Sequence, residues 1–84
     1  MNYNVLWDKK SLNFLNKLEP FIAQRIIKLV REFSENPRSK QFKKLKNERG
    51  FRLRAGDYRI IFDFNPNTKT IQILKVGHRK NIYE

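Results

Sequence analysis

The chain has 84 residues, no cysteine, one histidine, and 19 Lys and Arg against 8 Asp and Glu, a formal net charge of +11. That length holds one domain with a single core, read here as 1–84, and leaves no room for a second. Disulfides and a Cys- or His-built metal cage are excluded, no apolar run reaches membrane-spanning length, and the charge points to a polyanionic partner: nucleic acid first, acidic protein second, anionic membrane last.

In chain order, Tyr3 to Trp7 reads as a short strand with Tyr3, Val5 and Trp7 on one face, and Asp8 follows as a natural helix N-cap. The opening MNYNVLWDKK lacks the charged-then-apolar order of a signal peptide, so the expected location is the cytoplasm. From Lys9, the positions Leu12, Leu15 and Leu18 with Phe14 form the stripe of a helix ending near Glu19. Pro20 stops it and opens a second helix, whose stripe is Ile22, Ile26, Leu29, Val30 and Phe33 and whose wet side includes Gln24, Arg25, Lys28 and Arg31. Asn36-Pro37 ends that helix. A polar, basic connector follows. Beyond it the sequence predicts strands over Phe51 to Ala55, Tyr58 to Phe64 and Thr70 to about Gly77, with a turn at Asn65-Pro66-Asn67-Thr68 between the last two.

Helices ahead of a meander of strands imply an α+β layer: two N-terminal helices packed on one face of an antiparallel sheet of about four strands, in the order β-α-α-β-β-β. Tyr58, Ile60, Phe62 and Phe64, with Leu53, are the candidate core. The opposite face is expected to stay open to a ligand.

Positive charge is concentrated in residues 38–59, where nine basic side chains face two acids, Glu48 and Asp57, giving seven of the eleven net charges. Within it, Phe51-Arg52-Leu53-Arg54 alternates with period two, turns at Ala55-Gly56-Asp57 and returns as Tyr58-Arg59-Ile60-Ile61-Phe62. If Gly56-Asp57 is a two-residue loop, Ala55 pairs with Tyr58, Leu53 with Ile60 and Arg54 with Arg59, and Arg52, Arg54 and Arg59 share one face. Like charges directly opposite destabilise a sheet. A fold that keeps them there is reasonably read as presenting guanidinium groups to phosphate, although charged strand residues are also commonly just solvated. Lys43, Lys44 and Lys46 are candidate backbone contacts to RNA or a wet connector. Near the end, Gly77-His78-Arg79-Lys80-Asn81-Ile82-Tyr83 adds a His, an Arg and a Tyr, and equal strand parity would bring Arg79 to the face of Arg59. Such a set suits metal-free RNA cleavage, in which the 2′-hydroxyl attacks the adjacent phosphorus, cations hold the phosphorane, and His78 or Tyr83 serves as acid or base. No cofactor is expected.

The run LKNERGFRLRAGDYRIIF followed by ILKVGHRKNIY resembles the RelE/ParE superfamily of type II toxins, specifically its RelE-like branch. Its markers are Leu45-Lys46, Arg52-Leu53-Arg54, Asp57-Tyr58-Arg59 and Gly77-His78-Arg79-Lys80, and the element order fits along nearly the whole chain. The resemblance implies a ribosome-dependent mRNA endonuclease acting in the ribosomal A site and held in check by a cognate acidic, RelB-like antitoxin. It further implies that Arg59 stabilises the transition state, that Arg79 contacts the scissile phosphate, that Arg52 matches a position often held by a catalytic Lys, and that Tyr83 matches the C-terminal Tyr. With these go Arg54 and Lys80 as RNA contacts. Two departures stand out: Gly50 occupies a position where some members carry Lys, and Arg79 lies closer to Tyr83 than in well-known relatives. The alternatives are a noncatalytic DNA gyrase inhibitor of the ParE type on the same scaffold, and a plain RNA-binding module.

Overall fold

Asp8 closes the first strand and starts the first helix, its Oδ1 accepting the Ser11 N–H at 3.1 Å and so satisfying one of the donors an N-terminal helical turn leaves orphaned. In the computed structural model, which describes residues 2–46 and 48–82, this cap joins β1 (Asn4–Trp7) to α1 (Lys9–Asn16). Pro20 then opens α2 (Pro20–Glu35), where its missing N–H is no loss, and the Asn36 side chain caps a 3-10 turn over Pro37–Ser39. The remaining elements are β2 (Phe42–Lys44), β3 (Phe51–Ala55), β4 (Tyr58–Asn65) and β5 (Thr70–His78). Among the described residues no helix is long and apolar enough to cross a membrane.

The strands form one sheet in the order β1-β5-β4-β3-β2, with every neighbour pair antiparallel except β1 and β5, which run parallel. The α+β class and the helices-on-one-face arrangement follow the sequence expectation, but the sheet has five strands and is mixed rather than about four and antiparallel. Two causes account for the difference. The helical pair carries the chain from β1 at one edge of the sheet across its face to β2 at the other, and the meander then brings β5 back beside β1 in the same direction. And β2 lies in the basic connector, where three exposed residues give no apolar alternation to read.

The core sits between the helices and one face of the sheet. Ile26, Val30 and Phe33 of α2 and Leu15 of α1 are buried against Leu53, Ala55, Ile60, Phe62, Ile71, Ile73 and Val76. Phenylalanine dominates one side of it. Phe33 meets Phe62 edge-on with ring centroids 5.0 Å apart and Phe42 at 5.3 Å, while Phe51 stacks on Phe62 at 5.7 Å. Phe42 thereby ties the edge strand β2 to the core although its neighbours are lysines.

An ion pair pins the connector to α2, with Lys40 Nζ 3.0 Å from Glu32 Oε1. The hydrogen bond and charge of Lys40 hold the Glu32 carboxyl below its ordinary range. A carboxyl lowered on folding adds stability above its ordinary pKa and loses it as pH falls through the lowered one, and on so exposed a group this contribution is small.

Replacing Phe62 by Ala should cost about 3–5 kcal/mol, the usual penalty for emptying an aromatic core site. An 84-residue domain holds only about 4–13 kcal/mol. Urea unfolding followed by Trp7 fluorescence should therefore show a variant at or near the edge of folding, and a loss below about 1 kcal/mol would contradict the packing described.

Candidate functional site

Gly56 and Asp57 are the only residues between β3 and β4, and Gly56 takes φ +60° at the first loop position, the backbone a tight hairpin of primed type requires. The turn fixes the register: Ala55 opposite Tyr58, Leu53 opposite Ile60, and Arg54 opposite Arg59. The two guanidinium-bearing residues are therefore direct cross-strand neighbours on the face away from the helices. Arg59 is buried, 9% exposed, and its Nη1 donates to the carbonyls of Gly56 at 3.2 Å and Tyr58 at 3.3 Å. These bonds curl its guanidinium back onto the turn.

Lys43 pairs with Arg52, and Arg52 with Ile61, in a row across β2, β3 and β4. Lys43, Arg52 and Arg54 line a cavity of about 190 Å³ with Gln41 and Phe42. Lys44 pairs with Phe51 and, by alternation, belongs to the opposite face from Lys43. Lys46 and Lys80 are exposed.

A bulge in β5 decides what joins this face from the other side. Ile61 pairs with Lys75 but Phe62 pairs with Ile73, leaving Leu74 as an extra residue. The insertion reverses the parity of everything after it, so Val76 turns to the core while Gly77 lies beside Arg59. Arg79 follows on the same side, its N–H donating to the Asp57 carbonyl at 2.8 Å and its Nε 3.6 Å from Asp57 Oδ1. Arg54, Arg59 and Arg79 thus gather around one two-residue turn.

His78 does not join them. It pairs with Tyr58, packs edge-on against that ring at 5.3 Å, and its Nδ1 accepts the Lys80 N–H at 3.2 Å. Because Tyr58 also packs on Phe14 of α1, the imidazole lies on the helical side of the sheet. It shares only the end of the sheet with Arg59 and Arg79. Tyr83, the other expected proton-transfer residue, lies outside the described residues.

The face opposite the helices is also less open than expected. Leu45, Ile61 and Ile82 form a second, small apolar cluster on it, each about 5% exposed, and a Cβ on Gly77 would stand 3.4 Å from Ile82 Cδ1. The loop of residues 45–50 is closed by the Leu45 N–H to the Gly50 carbonyl at 3.0 Å, and Gly50, at φ +118°, lies against the Phe62 carbonyl. Loop and tail therefore meet over Ile61. Ile61, set between Arg52 and Lys75 on the neighbouring strands, is buried because these two segments cover it. The strand alternation alone gave no signal of this cover, although apolar Leu45 and Ile82 in polar surroundings were the residues that could have supplied one. The anchoring of Arg79 by Asp57 likewise has no signal in the sequence, where Asp57 stands as a turn residue and part of the Asp57-Tyr58-Arg59 marker.

The arrangement can hold an oxyanion-rich backbone strand at the hairpin end of the sheet, where, among the described residues, three arginines flank a turn that bears one carboxylate. A larger cavity of about 460 Å³ at the opposite end carries one guanidinium, Arg49, already bonded to Asp63 at 2.6 Å. It offers an anion little. Among the described residues no three His, Asp or Glu side chains come together as a metal ion would require.

Comparison with known proteins gives a consistent picture. Residues 5–83 match the family model described as the ParE toxin of type II toxin-antitoxin systems, parDE. The fold is similar to that of the RelBE2 toxin-antitoxin complex from Mycobacterium tuberculosis, with TM-score 0.80 and 29% identity over 94% of this chain and 100% of that one. It is similar to the archaeal RelE-RelB complex from Pyrococcus horikoshii OT3, with TM-score 0.81 and 27% identity over 98% and 100%. The RelB-RelE complex from Methanococcus jannaschii matches with TM-score 0.72 and 30% identity over 94% and 95%. No curated protein sequence matches the chain.

The Arg54–Arg59 pair makes the site self-repelling, which is open to measurement. Arg54→Thr should raise stability by about 0.2–1 kcal/mol, the range of a single cross-strand pair, while weakening affinity for a polyanion such as heparin. Unchanged or lower stability in chemical denaturation would mean that the pair is not strained.

Proposed function

This chain belongs to the RelE/ParE superfamily, the toxins of type II toxin–antitoxin systems, and on that premise we propose that it is a ribosome-dependent endonuclease that cleaves mRNA. The observation that carries the reading is the gathering of Arg54, Arg59 and Arg79 around Gly56-Asp57. In the proposed reaction the 2′-oxygen attacks the adjacent phosphorus as its proton leaves, and the 5′-oxygen departs as a proton arrives. The products are a 2′,3′-cyclic phosphate and a 5′-hydroxyl. Because the substrate carries its own nucleophile, cleavage of this kind calls for no metal-bound water.

The phosphorane between those steps carries extra negative charge. Arg59 and Arg79 are assigned to stabilise it, Arg59 with its guanidinium pre-set by two backbone carbonyls, and Arg52 and Lys43 to hold the strand in the adjoining groove. His78 and Tyr83 remain the candidates for proton transfer; with Nδ1 engaged by Lys80, His78 would act through Nε2. Proton transfer from such groups is slow unless the substrate is positioned from outside, which is the role given to the ribosome.

A RelB-like antitoxin is the natural partner, since the similar structures from M. tuberculosis, P. horikoshii and M. jannaschii are toxin–antitoxin complexes. An acidic segment would neutralise the arginine cluster. A second reading has its own support: the matching family model is that of ParE toxins, and a ParE-type protein would inhibit DNA gyrase without cutting RNA. The guanidinium cluster favours the first.

Mapping mRNA 5′ ends in a translating extract should give codon-phased breaks with this protein, reduced about 10²–10³-fold by Arg59→Ala or Arg79→Ala in variants shown to be folded. Undiminished cutting by both would sink the endonuclease reading. A supercoiling defect with no new ends would favour gyrase.

A further inference from the structure

The hairpin turn also has a neighbour in the helical layer. A Cβ placed on Gly56 would stand 3.2, 3.5 and 3.6 Å from Nη1, Cζ and Nη2 of Arg25. Three atoms of the guanidinium fork at nearly equal distances mean that it lies broadside over the glycine. Arg25 belongs to α2, in the layer that covers the other side of the sheet. Gly56 is therefore flanked by two guanidinium groups, Arg25 against its Cα and Arg59 bonded to its carbonyl. With Arg79 on Asp57 and Arg54 opposite Arg59, four guanidinium-bearing residues surround a turn that has one carboxylate. Among the described residues no carboxylate forms an ion pair with Arg25.

Set against a turn that three other arginines already surround, and without an ion pair among the described residues, the Arg25 guanidinium is placed where a polyanion could engage it. We infer that Arg25 binds a backbone phosphate of the RNA, so that the strand passes over the end of the sheet rather than lying along one face of it. On this path the RNA meets Arg54, Arg59 and Arg79 on one side of the turn and Arg25 on the other. The same path brings it toward His78, which lies on the helical side at that end of the sheet. Gly56 suits the device, because a larger residue would be strained at φ +60° and its Cβ would press on the Arg25 fork at 3.2 Å. The inference rests on the RNA-cleaving reading and adds to it a phosphate contact from the helical layer.

The test is the salt dependence of binding to a short single-stranded 2′-O-methyl RNA, which cannot react. Each phosphate contact removed should lower the slope of log K against log salt by about 0.7. Arg25→Gln should lose that amount, Arg25→Lys should restore it, and Arg54→Gln, serving as the reference, should lose a similar amount. Thermal unfolding of each variant separates binding from packing. A slope unchanged in Arg25→Gln while Arg54→Gln lowers it would overturn the role of Arg25 and leave the RNA reading standing. Absence of salt-dependent binding by the unaltered protein would remove both. Should Arg25→Gln be poorly folded, Arg25→Met gives a second uncharged side chain of similar reach, with the same expected and contrary outcomes.

Discussion

With only Gly56 and Asp57 between them, β3 and β4 have one register available, and that register sets Arg54 against Arg59. Much of the chemistry described here descends from that constraint. The turn supplies the Gly56 and Tyr58 carbonyls that fold the Arg59 guanidinium inward, and Asp57 receives Arg79 from the end of β5. A looser loop would let the like charges slip apart by a residue. The hairpin is thus where a repulsion between side chains is held by the geometry of the main chain, and the adverse energy of one arginine pair is small beside the core that backs it.

That core is what makes so basic a domain stable. Phe33, Phe42, Phe51 and Phe62 interlock beneath the charged face, and Phe42 does so from a strand whose other residues are lysines. Strand β2 is consequently anchored from below while its upper side is free to carry charge. Ile61 works in the opposite sense. It stands between Arg52 and Lys75 on the charged face, and the Leu45 and Ile82 side chains that cover it bring the basic loop and the segment after β5 together over the sheet.

The hairpin could be read directly from the sequence, since period-two alternation and a Gly-Asp loop leave few alternatives, and the pairings of Leu53, Arg54 and Ala55 follow from them. The second helix was equally legible from Pro20 and the spacing of Ile22, Ile26 and Phe33, and the first from Asp8, although the first ends at Asn16 rather than near Glu19 and leaves Leu12 exposed. Strand β2 was not, because exposed lysines carry no periodicity. Nor was the side on which His78 would lie, since parity along β5 depends on an irregularity at Leu74 that no local residue announces. Arg25 read as one more wet helical residue because the distance that distinguishes it is to a glycine more than thirty positions away. Contacts between layers are set by tertiary packing, and single-strand patterns are silent about them.

The irregularity at Leu74 acts like a half-twist inserted in a ribbon. Upstream of it, Ile71 and Ile73 show their side chains to the helices; downstream, Val76 does, and Gly77 and Arg79 are delivered to the arginines. What matters at this point is the number of residues more than their kind, since Leu74 itself is largely exposed. Swapping its side chain leaves the phase of the strand intact, whereas pairing every residue of β5 in regular alternation, with no residue set aside at Leu74, would put Lys75 in the core and carry Arg79 to the wrong surface.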